Sequence, residues 1–282
     1  MTIQDPGDPE APDGVDLERP NAARIYDWFL GGTANWAIDR EFGARAVETF
    51  PMIKTIARVG RDFLGRGVGH LAHNGITQFL DIGSGVPTVG NVHEIAGAIN
   101  PDIRCVYVDN EPVAVAHSQV LLEREGFADR HAVLQGDLRD PGDIWNRALD
   151  TGVLDPKQPI GLIMVGVLYF IRRDEPAKQL VDQYLSLLPS GSYLLSSHLT
   201  DDGAPDDDNR EVIREQYQQS STPFHLRSRA EFTAFFDGLE LVEPGVVWLP
   251  EWRPEEAESR ATRKVAHDPS FSGALGALGR KL

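Results

Sequence analysis

Three aspartates stand at the ends of short apolar runs in the 282-residue chain: Asp81 in Phe79-Leu80-Asp81-Ile82, Asp109 after Val106-Tyr107-Val108, and Asp137 in Gln135-Gly136-Asp137-Leu138. A carboxylate at the carboxyl end of a parallel strand can accept both hydroxyl protons of a ribose, which gives Asp109 a role toward NAD or toward an adenosyl cofactor. Taken alone, Asp109 reads as a helix cap. Asp137 is placed to accept a hydrogen bond from an adenine amino group. Asp81 lies where a dinucleotide fold brings up an anionic pyrophosphate, and a unit charge pair at ~4 Å in an effective dielectric of about 20 is worth roughly 4 kcal/mol. Its sign therefore favours a cationic ligand.

Gly83, Ser84 and Gly85 follow Asp81 and would let a ligand approach the backbone closely. The dinucleotide pattern G-x-G-x-x-G needs a sixth-position glycine, and Thr88 stands there after Pro87. No Gly-Lys-Ser or Gly-Lys-Thr follows to make a P-loop, and a serine-hydrolase elbow would need glycine where Ile82 stands. A ligand without a phosphate but with a cationic head, a ribose and an adenine meets all three aspartates. S-adenosylmethionine has those parts, though the residues do not make it the only solution.

These side chains need a scaffold. Expected strands at Gln78–Ile82, Arg104–Val108, Ala132–Gln135, Ile160–Val165 and Ser192–Ser197 alternate with helices, the pattern of βαβ units and a parallel sheet. The clearest helix is expected over Glu175–Leu188 after an Asp174 N-cap. Ser228 and Glu231 have capping-box spacing, and Leu239–Glu243 and Val246–Leu249 flank Pro244-Gly245 as an expected hairpin. Ahead of the sheet, helices are expected from Asn21 to Gly31, from Asp39 to Thr49, and from Met52 to Asn74.

The resulting organisation is a disordered acidic tail at 1–19, a helical cap at 20–75, a core at 76–254, and a C-terminal tail or weak helix at 255–282. The first nineteen residues carry six acids and three prolines, too little apolar surface to offset ordering entropy. A net charge of −16 disfavours nucleic acid and anionic membranes. No run reaches the ~18 apolar residues of a membrane span, and the N-terminus lacks a signal pattern, so a cytoplasmic protein with a small-molecule partner is expected. Oligomeric state is not readable.

No metal site is expected. Four residues after His93, in His93-Glu94, the chain has Gly97 rather than a second histidine, and the acidic loop 201–208 lacks calcium-loop spacing. The single cysteine, Cys105, sits in a strand-like run and reads as a buried hydrophobe.

Asp81 through Gly85, Asp109 and Asp137 resemble the first three motifs of the class I S-adenosylmethionine-dependent methyltransferases. The stretches Pro20-Asn21-Ala22-Ala23-Arg24-Ile25-Tyr26-Asp27, Gly85-Val86-Pro87-Thr88-Val89-Gly90-Asn91-Val92-His93-Glu94, Val106-Tyr107-Val108-Asp109-Asn110 and Asp137-Leu138-Arg139-Asp140-Pro141 resemble an actinobacterial methyltransferase family with no assigned substrate. So do Leu241-Val242-Glu243-Pro244-Gly245 and Trp252-Arg253-Pro254. The resemblance implies an α/β Rossmann-like fold with a seven-stranded, mostly parallel sheet, helices on both faces and an N-terminal helical cap. It also implies S-adenosyl-L-methionine as cofactor, bound by Asp81, Gly83, Ser84, Gly85, Asp109, Asn110, Asp137, Leu138 and Val165. Relatives often carry histidine where Tyr169 stands, so no base is assigned there.

Methyl transfer is an in-line displacement that positioning and water exclusion can drive, so the sequence need not announce a catalytic group. Tyr26, Asp27, Tyr169 and His198 are the candidates by expected location. Two other classes stay open: a non-catalytic protein that binds the same cofactor or its demethylated product, and a nicotinamide-dependent oxidoreductase, which Asp81 and Thr88 disfavour.

Overall fold

In the computed structural model, residues 12–88, 90–203, 208–256 and 259–282 are described. Three helices come first: α1 (Ala22–Leu30), α2 (Ala37–Thr49) and α3 (Ile53–His73). The Asn21 side chain caps α1 by accepting from the Ala23 amide, and Gly31, at a left-handed φ of 91°, ends it. Asp39, three residues into α2, accepts amide hydrogen bonds from Trp36 and Asn21 and so ties the starts of both helices together.

Arg24 sits in the middle of this cap with no solvent exposure. Its guanidinium donates to Asp39 at 2.9 Å, to Glu111 at 3.2 Å, and to the carbonyls of Asp16 and Arg19 at 2.9 Å each. The acidic N-terminal segment is thus ordered from residue 12 onward, contrary to the expected tail over 1–19. Val15 and Leu17 pack beside Trp36, Val86 and Val113, contacts that composition alone cannot foresee. Residues 1–11 lie outside the described residues.

The parallel strands β1 (Gln78–Ile82), β2 (Arg104–Asp109), β3 (His131–Gln135), β4 (Gly161–Met164) and β5 (Tyr193–Leu199) lie in the order β3-β2-β1-β4-β5. The order reverses beside β1, which opens a crevice at the carboxyl ends. Between the strands run α4 (Val92–Gly97), α5 (Pro112–Glu125), α6 (Pro141–Asp150) and α7 (Ala177–Leu187). Pro176 occupies the cap position of α7, and Asp174 pairs with Arg172 at 3.0 Å, so the expected Asp174 cap does not form.

The two-residue period of the strands sorts their side chains. Leu80, Ile82, Val106 and Val108 pack with α6 and α7, while Phe79, Cys105 and Tyr107 pack with α3, α4 and α5. Cys105 is buried, as expected of a small hydrophobe.

The C-terminal third departs most from expectation. It contains α8 (Asp208–Tyr217), α9 (Arg229–Thr233), β6 (Leu239–Leu241), β7 (Val247–Trp248), α10 (Arg260–Val265) and β8 (Ala274–Lys281). Ser228 and Glu231 form the expected capping box. The antiparallel C-terminal pairing is also present, but β6 and β7 do not pair as a hairpin. Both lie antiparallel to β8, which itself lies antiparallel to β5, giving eight strands among the described residues where seven were expected.

Within the expected tail or weak helix over 255–282, Arg260–Val265 do form the short helix α10, but Ala274–Lys281 are corrected to the inner strand β8. Its glycines gave the misleading signal. A Cβ at Gly276 would come within 2.6 Å of the Phe63 ring, and one at Gly279 within 2.8 Å of Phe236. They leave room for rings packed against the strand rather than marking a loose end.

Candidate cofactor and acceptor cavity

Across the carboxyl ends of β1 to β5 lies a cavity of about 670 Å³, near the middle of the ~300–1,000 Å³ usual for ligand sites. Its floor is the turn after β1. Gly83 and Gly85 take left-handed φ values of 72° and 67°, and a Cβ on Gly83 would overlap Val167 at 2.3 Å. Around Gly85 such an atom would meet nothing within 4 Å, which leaves the backbone open to a ligand.

Asp109, the last residue of β2, accepts from the Gly85 amide at 2.7 Å and from the Glu111 amide at 2.9 Å. Burial pushes its pKa up and these amides pull it down. Two N–H bonds leave about half of the carboxylate's four lone-pair sites for a ligand. Asn110, Leu138, Val165, Gly83, Ser84 and Gly85 line the same cavity. Among the nine expected cofactor residues, seven therefore meet around one space.

The other two do not. Asp81 shares the α3-facing side of the sheet with Cys105 and Tyr107, and it lines an adjoining compartment of about 10 Å³ with Arg61, Ser84, Gly85 and His93. That is about the space of one water. Burial raises the Asp81 pKa to about 7, with Asp109 adding to the rise and the Arg61 charge opposing it. Asp137 turns back on its own loop, accepting the Arg139 amide at 2.9 Å and the Arg139 guanidinium at 3.2 Å. Asparagine and aspartate make such local turns readily, and neighbouring Gly136, Leu138 and Arg139 face the cavity instead.

The roof comes from the cap and from α8. Ile53, Ile56, Ala57, Gly60, Arg61 and Leu64 present one face of α3 at helical spacing. Tyr26 donates to the Ala57 carbonyl at 2.7 Å, and burial raises its pKa to about 12. Tyr169, Phe170, Tyr217 and Phe224 complete an aromatic wall. Tyr169 meets Phe170 at 4.6 Å and Phe224 at 6.3 Å, while Tyr217 meets Phe224 at 5.2 Å.

Tyr26 and Tyr169 thus line the cavity, whereas Asp27 and His198 do not. Asp27 is buried under α1, accepting from the Ala34 amide at 2.9 Å, the Asn35 side chain at 2.8 Å and the Thr88 hydroxyl at 2.6 Å. His198 lies behind Tyr169 in β5, with Nδ1 donating to the Leu199 carbonyl at 2.8 Å and Nε2 accepting from Arg227 at 3.1 Å. Burial pushes its pKa down to about 4. Both candidates were placed by chain position, and both have their polar atoms committed to holding structure.

Arg61, Tyr217 and Phe224 were not anticipated. Arg61 had a usable signal, since it falls on the same helical stripe as Ile53, Ile56, Ala57 and Leu64. Phe224 had none, because the loop after α8 carries no periodic pattern, and Tyr217 closes α8, a helix not expected from the sequence. Among the described residues, His93, Glu94 and Glu125 lie close enough to share a metal. His93 Nδ1 already bonds the Tyr107 hydroxyl at 2.6 Å, and Glu94 caps α4 through the Asn91 amide at 2.7 Å.

Residues 8–281 match a family model described as S-adenosyl methyltransferase. A solved DUF574-family protein from Streptomyces avermitilis is 37% identical, covers 95% of this chain and 99% of its own, and superposes with a TM-score of 0.86. A protein of Thermobifida fusca described as a candidate methyltransferase is 36% identical, with coverages of 96% and 98% and a TM-score of 0.84. An O-methyltransferase family protein from Burkholderia thailandensis shares the fold at 12% identity, with coverages of 86% and 70% and a TM-score of 0.52. The search of curated proteins found no match.

Proposed function

Because the chain belongs to the S-adenosyl methyltransferase family and is an S-adenosylmethionine-dependent methyltransferase, we propose that its cofactor lies on the floor of the large cavity and its acceptor, a small molecule, under the roof. Asp109 carries this reading: among the described residues it is the one floor carboxylate that lines the cavity with lone pairs to spare, and ribose hydroxyls are the groups it would hold. The Gly83–Gly85 turn would lie against the amino-acid portion, with Asp81 behind it as a source of negative potential. Leu138 and Val165 offer apolar edges to the adenine. When bound, the cofactor supplies an electrophilic methyl on a sulfonium.

The chain's own contribution is to position and to exclude water. Residues 20–75 act as the cap, and residues 76–254 together with β8 form the core. The net charge of −16 supports a role without nucleic acid, and among the described residues no helix is long and apolar enough to cross a membrane. Together with the sequence these support a cytoplasmic setting.

Calorimetry with S-adenosylhomocysteine tests the assignment. The wild type is expected to bind, and Asp109→Asn to bind about 10-fold or more weakly, as for loss of charge-assisted hydrogen bonds. Equal affinity in the two proteins would remove Asp109 from the cofactor site.

A further inference from the structure

The roof of the cavity carries a chemistry that the cofactor does not use. Tyr26, Tyr169 and Tyr217 all line it, and Tyr26 and Tyr217 each push the Tyr169 acidity further down, so the three phenol groups lie near one another. The Tyr26 proton is given to the Ala57 carbonyl. Among the described residues, neither the Tyr169 nor the Tyr217 hydroxyl has a hydrogen-bond partner, and Tyr217 is only 9% exposed. Both side chains line the open cavity without a protein acceptor, which leaves their O–H groups free to donate to a ligand bound there.

A second observation limits what that ligand is. Among the described residues, no histidine, lysine or cysteine lines the cavity, and its acids are Asp109, held by two amides, with exposed Asp201 and Glu211. No group under the roof is therefore suited to take a proton from an aliphatic alcohol near neutral pH. The acceptor oxygen has to ionise largely by itself, with tyrosine O–H donors stabilising the anion. Aromatic walls suit a flat ring system.

We propose that the methyl acceptor is a planar aromatic molecule bearing a phenolic hydroxyl, seated against Tyr169, Tyr217 and Phe224 with its oxygen toward the two unpartnered tyrosine hydroxyls. This rests on the assignment of the floor to the cofactor. The phenolic proton leaves to water before transfer. The phenolate lone pair then forms the O–C bond while the methyl–sulfur bond breaks with its electron pair left on sulfur, giving an aryl methyl ether and S-adenosylhomocysteine.

The absorption of 2-naphthol changes on ionisation, so it reports binding and acidity independently of turnover. Titrated against the full-length protein with and without S-adenosylhomocysteine, 2-naphthol is expected to bind and to ionise about one pH unit lower than free in solution. Its saturated counterpart, decahydro-2-naphthol, measured by calorimetry, is expected to bind about 10-fold more weakly, having lost stacking and the charged oxygen. Tyr169→Phe and Tyr217→Phe should each cut the acidity shift while leaving S-adenosylhomocysteine affinity and the circular dichroism melt unchanged. Equal binding of the two alcohols, an unshifted ionisation, or an unaltered shift in the double variant overturns the proposal. Normal S-adenosylhomocysteine binding beside failed naphthol binding defeats the acceptor class alone, whereas failed S-adenosylhomocysteine binding defeats the cofactor assignment. The naphthol titration without S-adenosylhomocysteine decides the acceptor class in either case.

Discussion

Floor and roof of the cavity are built by opposite means. The floor comes from the ends of four adjacent strands, β3, β2, β1 and β4, and works through backbone amides and carboxylates. Asp109 is held at 2.7 and 2.9 Å by amides 24 and 2 residues away. The roof brings Tyr26, Tyr169 and Tyr217 together from α1, the turn after β4, and α8, and it works mainly through apolar contact. A site for an invariant cofactor can be encoded locally, whereas an acceptor site assembled from distant segments can vary without disturbing it.

That division rests on the two halves being joined yet distinct, and Arg24 is the strongest join. It links α1 and α2 to Glu111, whose own amide holds Asp109. Replacing Arg24 with Met leaves two acids, Asp39 and Glu111, buried without their cation, and losing one partner of a buried network costs about 3–5 kcal/mol. A single cooperative melt lowered by roughly 10 °C is expected by scanning calorimetry. Two separated transitions would show that the roof folds apart from the floor, and the comparison would become one between independent units.

The same contrast explains what could be read in advance. The five parallel strands and the helices among them are legible because each is a local pattern of apolar period and turn residues. So is the Gly83–Asp109 floor. β8 was not legible, since Gly276 and Gly279 are small on account of Phe63 and Phe236, residues far away in sequence. Asp137 stands at a strand end as a ligand group would, but in the structure Arg139, two residues on, pairs with it, a contact the strand-end pattern does not announce. Of the three roof tyrosines, Tyr26 and Tyr169 were reached only by expected location and Tyr217 not at all, as no short window contains two of them.

Asp81 sharpens the electrostatic side of the comparison. Its pKa is about 7 in the folded chain against ~3.9 for an unfolded aspartate. Between those values the native state holds a proton that the unfolded state has released, so stability falls as pH rises from about 4 to 7 and levels off above. The slope approaches about 1.4 kcal/mol per pH unit in mid-window. Urea denaturation should show this slope flattened in Asp81→Asn, with the variant more stable than wild type at about pH 8 and the gap closing toward about pH 5. Retention of the wild-type slope would move the titrating group elsewhere. In wild type, S-adenosylhomocysteine binding should weaken as pH falls through about 7, since a neutral Asp81 no longer attracts an ammonium.

Thr88 gives the smallest and most local test. It stands where a dinucleotide loop would carry a third glycine, and its hydroxyl donates at 2.6 Å to Asp27, a cap carboxylate only 2% exposed. The departure from the glycine pattern is thus used to fasten the floor loop to the roof. Thr88→Val keeps the shape and removes the donor, while the Ala34 and Asn35 bonds to Asp27 remain. A loss of about 1.5 kcal/mol is expected from thermal melts, the low end for a hydrogen bond to a charged group. Thr88→Ser should restore most of it. If serine fails where threonine succeeds, the threonine methyl and not the bond holds the loop, and floor and roof meet at this point by packing alone.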